Sequence, residues 1–72
     1  MTKKVVLANN LKKLRFDHGQ ISQENLAQQL DVSRQTIIAV EQGRFNPSVA
    51  LALKMARLFR CLVEDIFFIK ED

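Results

Sequence analysis

The chain has 72 residues, with 11 Lys or Arg against 8 Asp or Glu and a formal charge of +3, which is room for a single domain spanning residues 1–72 and no more. One cysteine, Cys61, and one histidine, His18, exclude a structural zinc site and an intrachain disulfide. The basic excess is uneven: residues 1–44 carry seven Lys or Arg against four acids and residues 45–72 carry four against four, an asymmetry that suits a polyanion partner but is also common on solvated surfaces.

The opening MTKKVVLANN has a basic pair followed by only four apolar residues. That is too short for a signal-peptide core or a membrane span, so a cytoplasmic location is expected. Lys4-Val5-Val6-Leu7 is rich in strand formers. Asn9 or Asn10 can cap a first helix carrying Leu11 and Leu14, which ends near His18 and Gly19, where glycine suits a left-handed exit. Ser22 opens a second helix with Glu24 in its first turn and Leu26, Ala27 and Leu30 at helical spacing. Asp31-Val32-Ser33 interrupts it, and Ser33 caps a third helix reaching Gln42, with Gly43 just beyond. Ile37 and Val40 turn inward from that helix, while Arg34, Gln35 and Thr36 fill its first turn. A cation there opposes the helix dipole at a cost of about 0.3 to 1 kcal/mol, a broken local rule of the kind that marks a working surface.

Asn46-Pro47-Ser48 makes a turn and a cap, after which VALALKMARLF reads as a fourth helix. Val49, Ala52, Leu53, Ala56 and Phe59 form one apolar stripe and Leu51, Met55 and Leu58 a second, leaving mainly Lys54, Arg57 and Arg60 for water. A short fifth helix is expected from about Leu62 to Phe67, with Cys61 read as a small apolar residue. The first stripe of helix four is expected to face the core. Leu51, Met55, Leu58 and the run Phe67-Phe68-Ile69 are then left over, and this surplus predicts a dimer interface within residues 49–70. Lys4 to Leu7 could pair with Phe67 to Lys70 as a small two-stranded sheet.

Two short helices joined by a three-residue turn, the second opening with polar side chains, describe a DNA-reading helix-turn-helix over residues 23–42. Ala27 is small where the helices would cross, and Leu26, Leu30, Ile37 and Val40 supply the facing sides. At SQENLAQQLDVSRQTIIAVEQGRFNPS, from Ser22 to Ser48, the sequence resembles the Cro and lambdoid-repressor type (XRE) family. The resemblance extends from Leu11 to Phe67 and looks closest to its smallest members, which have no ligand or protease domain.

The resemblance implies an all-α, five-helix lambda-repressor-like fold with helix three in the major groove of double-stranded DNA. Carried over by position, Arg34, Gln35 and Thr36 would face base edges, and Gln23, Gln42, Arg44 and Asn46 would meet the DNA backbone. The side-chain chemistry agrees: Arg is bidentate to guanine, Gln to adenine, and the Thr methyl meets that of thymine, while uncharged polar groups position without reading. Arg15 and Glu41 match a family ion pair between helices one and three, the alternative being two solvated charges. The chain departs from the pattern in several places. Asp31 stands where glycine is frequent in the turn, and it tolerates a left-handed backbone better than most residues. One extra residue falls between Arg15 and Gln23; Arg60 and Leu62 replace a glycine and a Ser or Thr cap; Ala39 stands at a position that elsewhere carries a further base-contacting side chain.

No paired-carboxylate constellation, activated nucleophile or phosphate-cradling loop argues for an enzyme, and no metal or cofactor is implied. The expected function is a transcriptional regulator, most simply a homodimeric repressor on an inverted-repeat operator. The competing reading is an antitoxin-like or anti-regulator module whose apolar surface embraces another protein.

Overall fold

The computed structural model describes residues 5–71. In chain order the elements are β1 (Val5–Asn9), α1 (Leu11–Asp17), α2 (Gln23–Leu30), α3 (Arg34–Glu41), α4 (Val49–Phe59), α5 (Val63–Ile66) and β2 (Phe67–Glu71). The five helices and the small sheet match the architecture expected from the sequence, although Lys4 lies outside the described residues.

Each helix begins where a side chain can accept an orphan backbone N–H. Ser22 accepts from Asn25, Ser33 from Thr36 and Ser48 from Leu51, at 3.0, 3.1 and 3.1 Å. At α1 the acceptor is Asn9 Oδ1, 3.1 Å from the Leu11 nitrogen, whereas Asn10 occupies the cap position without a capping side-chain bond. Leu62 brings no acceptor to α5. Asp65 Oδ2 reaches back to accept the Leu62 N–H instead, at 2.9 Å, which is the reciprocal half of a capping box.

The helix ends explain how the unusual residues are tolerated. Asp31 and Arg60 take left-handed conformations with φ of 58° and 55°. Each donates its N–H to the preceding turn, as a residue leaving a helix in this way does. The extra residue of the first loop is absorbed by a left-handed pair, Gly19 (φ 88°) and Gln20 (φ 56°). Bonds from the Gln20 and Ile21 nitrogens to the Phe16 and Arg15 carbonyls close that loop. His18 ends α1, with Nδ1 3.0 Å from the Leu14 carbonyl oxygen and its ring edge-on to Phe59.

β1 and β2 pair antiparallel from Val5 opposite Glu71 to Asn9 opposite Phe67. Alternation puts Leu7, Asn9, Phe67 and Ile69 on one face and Val6, Ala8, Phe68 and Lys70 on the other. The ribbon is tied to the helices at its inner end. The Asn10 nitrogen donates to the Ile66 carbonyl at 2.8 Å, and Asn9 Nδ2 to the Val40 carbonyl at 2.9 Å.

The core gathers Leu11, Leu26, Ala27, Leu30, Ile37, Val40, Leu51, Ala52, Met55, Ala56, Phe59, Ile66 and Phe67. This corrects the reading of α4 and of the expected interface. Leu51, Met55 and Phe67, assigned above to a dimer surface, lie inside the subunit; Met55 is 0% exposed. Val49 and Leu53, expected to face the core, are 76% and 56% exposed. The inward face of α4 runs through residues 51, 52, 55, 56 and 59, between the two stripes read from the sequence. Leu58 is half-buried, and Phe68 and Ile69 are exposed.

Candidate nucleic-acid interface

The two helices of the motif meet through Leu26, Ala27 and Leu30 of α2 and Ile37 and Val40 of α3, all buried. With that side of α3 committed to the core, its first turn carries Arg34 and Gln35 on the surface and Thr36 half-exposed. Thr36 is held by its own cap. Its N–H donates to Ser33 Oγ, and the two hydroxyls lie 2.9 Å apart. The hydroxyl is thereby engaged within the protein.

An open groove lined by Arg15, Ser22, Gln23, Glu24 and Arg34 brings the starts of α2 and α3 together. Arg15 and Gln23 also belong to a polar hub centred on Glu41. Arg15 donates from Nε to Glu41 Oε2 at 2.6 Å and from its NH2 group to Oε1 at 3.1 Å, a side-on bidentate pair whose side chains are only 9% and 8% exposed. Its NH1 group donates to the Ile21 carbonyl at 2.8 Å, which fastens the lengthened first loop. Gln23 Nε2 donates to the same Glu41 Oε1 at 3.1 Å. One carboxylate thus connects α1, the start of α2 and the end of α3, and the ion pair anticipated between Arg15 and Glu41 is present in the structure. The bond from Gln23 was not foreseen; its sole sequence cue is that Gln23 and Glu41 stand at opposite ends of the motif.

Beyond α3, Gly43 takes φ of 75° and turns the chain. Gln42, Arg44 and Asn46 are exposed on this loop, and Arg44 Nε donates to Gln42 Oε1 at 2.7 Å. Phe45, singled out by no pattern in the sequence, is also exposed between them. The structure therefore gathers Gln23 and Arg34 at one groove, keeps Gln35 and Thr36 in the adjoining turn, and sets Gln42, Arg44 and Asn46 on the loop that follows.

Chemistry of other kinds finds little to use. Among the described residues no group of three or more His, Cys, Asp or Glu could hold a metal ion, and no helix is long and apolar enough to cross a membrane. Partial burial, reinforced by the nearby Asp65 carboxylate, pushes the Cys61 thiol pKa up, away from the thiolate a nucleophile requires.

Comparison with known proteins agrees with this geometry. The family model described as Helix-turn-helix matches residues 11–66. An uncharacterized HTH-type transcriptional regulator of Methanocaldococcus jannaschii is 48% identical over 66 residues, 92% of this chain and 98% of the relative. The uncharacterized HTH-type transcriptional regulator YgzD of Bacillus subtilis is 41% identical over the same shares of the two chains. A regulator of the same description from Methanothermobacter thermautotrophicus is 53% identical over 72% of this chain and 77% of its own. With a buried helix pair, a polar first turn on α3 and relatives alike over most of their length, the chain belongs to the XRE/Cro-type helix-turn-helix family of DNA-binding transcriptional regulators, which are not enzymes.

Proposed function

We propose that this regulator acts in the cytoplasm as a homodimeric repressor on an inverted-repeat operator, with helix α3 in the major groove. The observation that carries the reading is the first turn of α3. Arg34 and Gln35 are exposed there, in a helix whose opposite side is fully committed to the core. Both are the side chains best suited to bidentate contact with purine edges. Thr36 has its hydroxyl occupied by Ser33, so the group it offers is the methyl, which suits thymine. Gln23, Gln42, Arg44 and Asn46 flank that turn and serve as backbone contacts that fix register.

Repression is the simplest action for a domain that reads DNA, because occupying an operator excludes polymerase. Self-association is supported by apolar surface that the subunit leaves uncovered: Val49, Leu53 and Leu62 on the helical side, Val6, Phe68 and Ile69 on the ribbon. Selection of bound duplexes from a random pool at physiological salt tests the proposal. Recovery of an inverted repeat with half-sites about 34 to 36 Å apart is the expected result. Enrichment of no sequence, together with co-purification of a second small protein, would replace it with the antitoxin-like or anti-regulator reading.

A further inference from the structure

The hub beside the groove contains one bond beyond those that close the ion pair and the first loop. Arg15 and Glu41 neutralise each other, and the Arg15 NH1 group already secures the first loop through Ile21. Glu41 Oε1 nevertheless takes a second donor, Gln23 Nε2. We propose that Glu41 is a positioning residue for DNA binding, which holds the Gln23 side-chain amide by its nitrogen so that the remaining N–H is presented, already oriented, to a phosphate.

The argument is one of donors and acceptors. A carboxylate paired with a guanidinium accepts only, so the nitrogen end of the Gln23 amide must face it. A primary amide has two N–H donors. One is consumed by Glu41, and the other remains for the groove that Gln23 lines with Arg34 and Ser22. A phosphate also accepts only. An untethered glutamine would sample both amide orientations in the free protein, only one of which suits a phosphate, and would lose side-chain freedom on binding. Glu41 removes the wrong orientation and much of that freedom before DNA arrives. Because Glu41 and Arg15 cancel in charge, this is achieved without a net negative charge at the DNA surface. The inference rests on the reading of Gln23 as a phosphate contact.

Two measurements test it. The first uses the wild-type chain without DNA: 15N relaxation of side-chain amides should show Gln23 Nε2 ordered and the exposed Gln35 Nε2 averaged. A Gln23 amide as mobile as that of Gln35 would overturn the proposal. The second is an affinity cycle. Replacing both hub charges, Arg15→Met with Glu41→Met, leaves net charge unchanged and avoids an unpaired buried ion, a swap that folded proteins often tolerate; a thermal melt verifies the fold. This variant should bind operator and scrambled duplex about three- to ten-fold more weakly, the scale of freezing one side chain on association. In a Gln23→Ala background the same double replacement should cost less than about two-fold, because coupled groups are not additive. An equal loss in both backgrounds would mean that the hub acts through Arg15 or the fold, and would overturn the proposal. Gln23→Ala binding as tightly as wild type would refute the phosphate contact itself, and the positioning role with it, even with the amide ordered. If the double variant does not fold, the relaxation experiment and the affinity of Gln23→Ala together decide.

Discussion

On the proposed function, single side chains around α3 divide into groups that read and groups that hold, and the two should fail differently. Arg34→Ala or Gln35→Ala should cost about 1 to 3 kcal/mol on the best operator, as losing a bidentate base contact does, and far less on scrambled duplex. Equal losses on both DNAs would remove α3 as the reader. Thr36→Ser separates the two halves of one residue: it keeps the hydroxyl bonded to Ser33 and deletes the methyl. The expected outcome is an unchanged melting temperature with weakened preference for thymine at one position, measured on duplexes carrying uracil or thymine there. Arg44→Ala should weaken binding to all sequences alike and flatten the log-log salt dependence by about one unit. Asn46→Ala should weaken it with no change of slope. In the free protein Arg44 is bonded to Gln42 through Nε alone, and its two terminal NH2 groups are left for a phosphate. Arg15 lines the same groove but is nearly buried and paired with Glu41, so it is not counted among the DNA contacts.

At the scale of elements, the caps and turns were legible in the sequence because their causes are local. Ser22, Ser33 and Ser48 each declare a helix start, and Asp31 accepts the left-handed geometry that its place in the turn demands. The inward face of α4 was not legible from apolar spacing, because a helix apolar nearly all round gives periodicity no phase. The charges would have supplied it. Lys54 and Arg57 point to water, and at about 100° per residue the direction opposite them passes through Ala52, Met55 and Phe59, as observed. Arg60 adds no marker of its own, since it has already left the helix in a left-handed conformation. Two substitutions check the revised face: Met55→Ala should cost about 2 to 5 kcal/mol in chemical denaturation, and Leu53→Ala no more than about 0.5 kcal/mol in the unassociated chain. The reverse order would restore the original stripe. The Arg60 backbone offers a gain of the opposite sign. A left-handed L-residue costs about 1 to 2 kcal/mol, part of which glycine forfeits in unfolded-state entropy, so Arg60→Gly should be stabilising by up to about 1 kcal/mol. For a domain this small, that is roughly 4 to 8 °C in melting temperature.

For the molecule as a whole, the question is what covers the apolar surface that remains once the core is assigned. Moving Leu51, Met55 and Phe67 inside strengthens the subunit, yet it does not empty the surface, because Val49 and Leu53 come out as they go in. Two patches result. One lies along α4 at Val49 and Leu53, four residues apart on one side of the helix and close in sequence to the exposed loop of Arg44 and Asn46. The other is the outer face of the ribbon, Val6 and Phe68, with Ile69 exposed on the opposite face. A two-fold axis through either would double the reader, and association would also stabilise a chain of this size in a concentration-dependent way. Sedimentation with and without operator, on the parent and on Leu53→Glu and Phe68→Glu, separates them. A charge placed in a packed interface is costly, so the variant in the true interface should sediment as a monomer at tens of micromolar and lose most of its affinity for the inverted repeat. It should still bind a single half-site as the parent's subunit does. The other variant should dimerise and bind normally. If the parent is itself monomeric at that concentration and binds one half-site one-to-one, the homodimer proposal fails; if both variants dimerise and bind like the parent, neither patch joins the two copies.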